Sequence, residues 1–350
     1  MSKSLSAYLS RGALSIFNSL LRSSLFNPDR RGFLRSAMKS AESAAKKRKA
    51  AERKGEHVPG LLIAGITPSR VFVRSDGEND PSGGGEALSA ADWKRIFAEA
   101  AEIGVSAVLL TGDGLLRRRD VLALAGRFPI LMFPFFADET LFREENIALM
   151  RSCRNLIPIL RVEGAGSLDK TARAMSELSS DGAVFGVSVA VTPENARAVT
   201  DSAFLSRLVD AGARAVLYPE YGALRGDGAR RLDPSDRAAF LGRLNAARKD
   251  FPGALFLALP ADESGLGGCM AAGKGFFYIN PCGGAEPCPF APYVGCSLKN
   301  GSLKAALNSP FFVSLRESGL ADAAADGGCA LRAHEKEVAS LLTGKRENLG

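Results

Sequence analysis

From Pro59 onward the chain alternates short apolar runs with amphipathic stretches. The runs are LLIAGI (61–66), VSAVLL (105–110), PILMFPFF (129–136), LIPILRV (156–162), AVFGVSVAV (183–191), ARAVLYPEY (213–221) and ALFLALP (254–260). Strands that are apolar almost throughout bury both faces, as in a parallel sheet covered by helices. The stretches between them carry helix punctuation. Trp93, Ile96, Phe97, Ala100 and Ile103 recur at helical spacing behind a Ser89–Asp92 capping box, and Gly104 supplies a left-handed stop. Asp233, Pro234 and Asp236 open a second helix carrying Phe240, Leu241 and Leu244. About seven alternations of strand and helix predict an α/β protein built as a partial TIM-like (β/α) barrel. Chemistry then belongs on the loops after the strands' C-terminal ends.

After Pro260 the alternation stops. GGCMAAGKGFFYINPCGGAEPCPF (267–290) combines an aromatic strand with a Pro281-Cys282-Gly283-Gly284 turn and predicts a β-hairpin. SLKAALNSPFFVSLRESG (302–319) predicts helix, and DGGCAL follows. The chain therefore divides into a basic helical leader (1–57), a barrel (58–262) and a small C-terminal cysteine-bearing α+β module (263–342).

Charge changes this picture only at one end. Residues 1–56 hold 13 Lys or Arg against 4 Asp or Glu, so the net +7 belongs to the leader and the body is nearly neutral. SAAKKRKAAERKGEH (43–57) favours a solvated surface helix; docking on a protein partner or an anionic surface is the second reading. A nucleic-acid partner is not expected. GALSIFNSLLRSSLF (12–26) is broken by Asn18 and Arg22 and reads as an amphipathic helix rather than a signal peptide. No apolar run reaches the ~18 residues of a membrane span, and a cytoplasmic location is expected.

Five of the six cysteines lie between Cys269 and Cys329. Clustered thiols in a reducing compartment point to metal or redox chemistry. Cys153 reads as an ordinary thiol, and His57 and His334 as surface residues. There is no P-loop, GxSxG or HExxH, so nucleotide hydrolysis, esterase and zinc-protease readings have no support.

The order VPGLLIAGIT, LSAADWKRIFAEAAEIGVSAVLLTGDG, NLIPILRVEG, FGVSVAVTPEN and CMAAGKGFFYINPCGGAEPCPF with DGGCAL resembles a radical S-adenosylmethionine (radical SAM) protein with a SPASM- or twitch-type C-terminal extension, over about residues 58–342. The resemblance implies a partial (β/α)6 barrel. It also implies a 4Fe–4S cluster on CxxxCxxC in the loop after the first strand, which reduces SAM to a radical. In GITPSRVFVRSDG (65–77) those three positions fall on Arg70, Arg74 and Gly77. None supplies a thiolate, and two are cations. The family's GGEP motif, which positions the SAM amino group, corresponds to Thr111-Gly112-Asp113-Gly114, and Glu163 stands where related proteins place a polar residue near SAM. Gly112, Asp113 and Glu163 are the candidate SAM-binding residues, and these departures put SAM binding in question.

The module departs less. The resemblance implies an auxiliary iron–sulfur cluster on Cys269, Cys288 and Cys329, with Cys296 or Cys282 as fourth ligand. Zinc is the competing metal, and metal-free thiols the bland alternative. Two functions follow. One is a divergent radical SAM-like protein without radical initiation, acting in binding or electron transfer on a small-molecule or peptide substrate. The other is a barrel enzyme using Asp113, Glu163 or Glu220 for acid–base chemistry on an anion drawn by Arg70, Arg74 and Arg117 to Arg119. Tyr218, Glu220 and Tyr221 are expected at the barrel mouth.

Overall fold

The computed structural model of the chain describes residues 28–68, 85–137, 139–164, 166, 168–225, 230–322 and 328–343. Arg70, Arg74 and Gly77, and the amphipathic segment 12–26, lie outside the described residues.

Each of the seven apolar runs contains one strand: β1 (Leu61–Gly65), β2 (Ala107–Thr111), β3 (Phe133–Ala137), β4 (Leu156–Val162), β5 (Gly186–Val189), β6 (Ala215–Pro219) and β7 (Leu255–Leu259). They pair in parallel in chain order, with registers such as Leu61 opposite Ala107 and Tyr218 opposite Ala258. The helix Ala90–Ile103 starts at the expected capping box and ends on Gly104 at φ 104°. Asp233 caps the helix Pro234–Asp250, with Pro234 in its first turn.

Side-chain alternation assigns the two faces of the barrel wall. Phe133 packs outward on Phe97 of the covering helix, ring centroids 5.0 Å apart. Pro134 and Phe136 therefore face the interior, and the β3–β4 register puts Ile157, Ile159 and Arg161 on the same side. On this side the Arg161 guanidinium rests 5.5 Å above the Phe136 ring.

The C-terminal module joins the barrel sheet instead of standing beside it. β8 (Tyr278–Ile279) runs parallel to β1, with Ile63 opposite Tyr278. β9 (Gly284–Glu286) folds back on β8 as the expected hairpin, and β10 (Cys296–Ser297) follows antiparallel. Asn280 braces the hairpin turn, its side-chain oxygen accepting from the Cys282 and Gly284 amides at 3.1 and 2.8 Å. Glu99 of the covering helix caps the helix Leu303–Leu307, accepting from the Leu303 and Lys304 amides at 2.8 and 3.0 Å.

The leader helix Pro28–Glu52 closes the barrel's floor. Leu34 and Ala37 are buried against Met132, Val184 and Leu255, which lie at the N-terminal ends of β3, β5 and β7. Further along, Lys47 donates to Ala101 O at 3.0 Å and the buried Arg48 to Ser106 Oγ at 2.8 Å. The described part of the leader is thus packed on the body through an apolar stripe that its charge conceals.

Candidate functional site

The loop base after β1 is described as far as Pro68, and it lies against the β2 turn. Thr67 Oγ1 donates to Asp113 O at 3.0 Å, and Asp113 N to Pro68 O at 3.3 Å. Gly112 has φ 129°, and a Cβ there would overlap Thr67. Glycine is therefore required both by conformation and by the close approach of Thr67. The Asp113 carboxylate is exposed, as is Glu163 after β4. Arg118 donates to Ile66 O at 2.9 Å and Leu88 O at 3.2 Å while pairing with Asp120, so it joins the two ends of the 67–87 segment. Arg119 donates to Glu145 O at 3.1 Å.

Of the acids expected to serve acid–base chemistry, Asp113, Glu163 or Glu220, the last is engaged elsewhere. Glu220 is 2% exposed and ion-pairs with Arg237 at 2.7 Å, and it accepts from the Leu232 amide at 2.8 Å. Its role is to hold the chain after β6 in place. Tyr218 also departs from expectation. Its ring packs edge-on to Phe240 and its hydroxyl donates to Val199 O at 2.7 Å, which places it in the helix layer and not at the mouth. Apolar runs conceal the inward–outward parity that decides this. Tyr221 lies beyond the strand, its ring 6.5 Å from that of Phe290.

Cys269, Cys288 and Cys329 are all buried, at 3%, 6% and 8% exposure. Burial pushes the thiols of Cys269 and Cys288 far up and that of Cys329 to about 11, and each of the three is raised further by negative charge on its neighbours. Those neighbours are Glu263 for all three, the other two thiols for Cys269, and Cys329 and Glu286 for Cys288. Each sulfur also accepts backbone N–H groups: Ala271 on Cys269, Phe290 on Cys288 at 3.5 Å, and Leu331 and Arg332 on Cys329. Such donors favour the thiolate over the thiol. The turn after Cys269 is held with Ala272 at φ 52°, a non-glycine residue in the left-handed region. Strained backbone of this kind persists where surrounding structure imposes it.

Glu263 was not singled out from the sequence. It opens a four-residue helical turn after β7, and its carboxylate accepts from the Cys269 thiol and the Met270 amide; burial pushes it up to about 7. A lone Glu in a Gly-rich stretch carries no spacing signal.

The two candidates for a fourth thiolate are less buried than these three. Cys296 is half-buried on β10, opposite Ala285, and burial alone raises it. Cys282 donates to Gly85 O at 2.9 Å. Cys153 is buried against Gly126, and His57 and His334 are not buried. Among the described residues, no three His, Cys, Asp or Glu side chains close on a point that would hold a single metal ion. No described helix is long and apolar enough to cross a membrane.

No protein-family model and no curated protein matches the sequence. Solved structures do match in fold. Streptococcus suis SuiB, in its crystal structure with the precursor peptide SuiA, is 14% identical at a TM-score of 0.60, over 84% of this chain and 77% of that one. SuiB bound to S-adenosylmethionine gives a TM-score of 0.59 at 13% identity, over 79% of this chain and 70% of that one. Hexahistidine-tagged anSMEcpe with bound AdoMet gives 0.53 at 12% identity, over 83% of this chain and 97% of that one. At such identities the likeness is one of fold alone: this chain shares the α/β architecture of SuiB and anSMEcpe.

Proposed function

We propose that this chain is a divergent radical SAM-fold protein that does not bind the SAM-cleaving cluster, holds an auxiliary iron–sulfur cluster on Cys269, Cys288 and Cys329, and works by binding or electron transfer. One observation carries the reading: three buried thiols from separate segments share one enclosure, and backbone amides point at their sulfurs. These three thiols and the Glu263 carboxyl repel one another when charged. A metal-bound cluster compensates that charge and makes the thiolate the stable form.

The donor chemistry fits iron, since thiolates are soft ligands and N–H···S bonds tune a cluster's potential. A zinc ion would gather its thiolates about 2.3 Å from a single centre. A bound cluster would supply one-electron chemistry. The chain's own residues fix its position, exclude water and set its potential.

For the SAM-cleaving cluster the donor set does not fit, because Arg70, Arg74 and Gly77 occupy the three thiolate positions. No radical step is assigned. SAM remains the first small ligand to test, because SuiB and anSMEcpe have been solved with it. A peptide partner is favoured over a small molecule by the SuiB–SuiA structure.

The test is anaerobic reconstitution with iron and sulfide, followed by metal and sulfide analysis. One cluster per chain is expected, and Cys288→Ala should abolish its visible absorption. A second cluster whose spectrum responds to SAM would sink the reading, as would zinc in place of iron.

A further inference from the structure

We infer that Arg161 and Ser188 form a binding site for an organic carboxylate with an apolar body, on the inner wall of the barrel near its mouth. The inference rests on the barrel and its side-chain parity, and it holds or fails independently of the cysteine site.

Closed (β/α) barrels fill their interior with side chains. Among the described residues no strand pairs β7 back to β10, so the sheet stays open along that side. Solvent reaches the inner wall. The inward Pro134, Phe136 and Leu217 are half-buried, whereas Phe133, Phe135 and Val216, which point outward from the same strands, are buried.

Arg161 lies on this inner face as the last-but-one residue of β4, and its side chain is exposed. It is the charged residue among the inward positions of β1 to β7. The Phe136 ring, 5.5 Å away, steadies the guanidinium without using any of its N–H donors, and no carboxylate of the described residues pairs with it. A guanidinium presents a fork of donors matched to the two oxygens of a carboxylate.

Ser188 points to a ligand independently. It stands directly opposite Arg161 in the β4–β5 register, faces the same interior and is 6% exposed. Its hydroxyl has no hydrogen-bond partner among the described residues, although buried polar groups are ordinarily paired. Strands about 4.8 Å apart set this hydroxyl beside the base of the arginine, where it can donate to an oxygen of an anion that the guanidinium holds. A single positive charge balances a carboxylate and not a phosphate dianion. Ile159 precedes Arg161 on the inner face and Leu217 continues the row from Ser188, so the wall around the charge suits an apolar body. Gly112 and Asp113 follow β2, on another part of the wall.

The experiment measures binding to the full chain by calorimetry and ligand-observed magnetic resonance. Three acids are each compared with a counterpart that lacks the carboxylate: benzoate with benzamide, N-acetylphenylalanine with its amide, and SAM with decarboxylated SAM. Wild type should bind at least one acid about tenfold or more tightly than its counterpart. Arg161→Gln should remove that preference, Arg161→Lys should keep part of it, and Ser188→Ala should weaken it severalfold, with circular dichroism and thermal unfolding unchanged throughout. A preference shown by SAM alone assigns the site to the amino-acid end of SAM, and one shown by benzoate or N-acetylphenylalanine assigns it to a separate organic acid. No preference for any of the three acids, or a preference that survives Arg161→Gln, overturns the inference and leaves the cluster reading untouched.

Discussion

Arg237 and Glu220 face each other at 2.7 Å with side chains 6% and 3% exposed, behind the C-terminal end of β6. Removing one member of such a pair leaves an uncompensated charge in a dry site. Arg237→Leu is expected to cost about 3–5 kcal/mol. The double variant with Glu220→Gln should cost less than the sum of the two single changes. Urea unfolding of the four proteins measures this; additive costs would show that the pair is not coupled.

Gly65 ends β1 beneath Tyr278. A Cβ at residue 65 would overlap the Tyr278 hydroxyl and stand 3.0 Å from Cζ and 3.1 Å from Pro281 Cδ. Gly65→Ala should therefore destabilise by about 1–3 kcal/mol through overpacking. Tyr278→Phe should recover part of that loss in the double variant but none on its own. Thermal unfolding reads both effects, and a neutral Gly65→Ala would mean that the junction between β1 and the hairpin is loose.

Ser89 Oγ accepts from the Asp92 amide at 3.2 Å, and the Asp92 carboxylate accepts from Ser89 N at 3.0 Å. These bonds, the Ser89 hydroxyl's foremost, hold the Asp92 carboxyl below its ordinary range. A depressed folded-state value means that the contribution is complete above the usual aspartate range and lost as pH falls through the lowered value. Ser89→Ala should cost about 1 kcal/mol. It should also flatten the acid limb of a stability–pH curve recorded from neutral to strongly acidic pH. An unchanged acid limb would argue against the capping box as a source of that dependence.

Leu34 is fully buried under the barrel. Leu34→Ala is expected to cost about 2–5 kcal/mol, whereas Lys39→Ala on the same helix should be close to neutral. Equal and negligible effects in chemical denaturation would mean that the leader is dispensable to the fold.

These sites also mark what the sequence made legible. All seven barrel strands, the Ser89 and Asp233 caps and the Gly104 stop follow from local pattern, because burial on both faces and helix-end hydrogen bonds leave their signature within a few residues. The FFYI-to-PCGG hairpin did so too. The floor-closing role of Leu34 and Ala37 was hidden, because a narrow apolar stripe is outweighed by the lysines and arginines around it. Tyr218 was aimed at the wrong side because an apolar strand does not reveal its parity. At the cysteine site the three thiols stood out by residue type. Glu263 did not, since its meaning comes from a turn that returns it to Cys269.

The parallel pairing of Ile63 with Tyr278 bears on how the chain comes together. Until β8 has been synthesised and docked, β1 is a bare sheet edge, able to pair with other chains. The contact that covers it is among the least local in the protein, and such contacts form late because the intervening chain must first be ordered. A protein truncated before Tyr278 would therefore do more than lose its cysteines: it would expose the first barrel strand, and aggregation during expression is the outcome to expect.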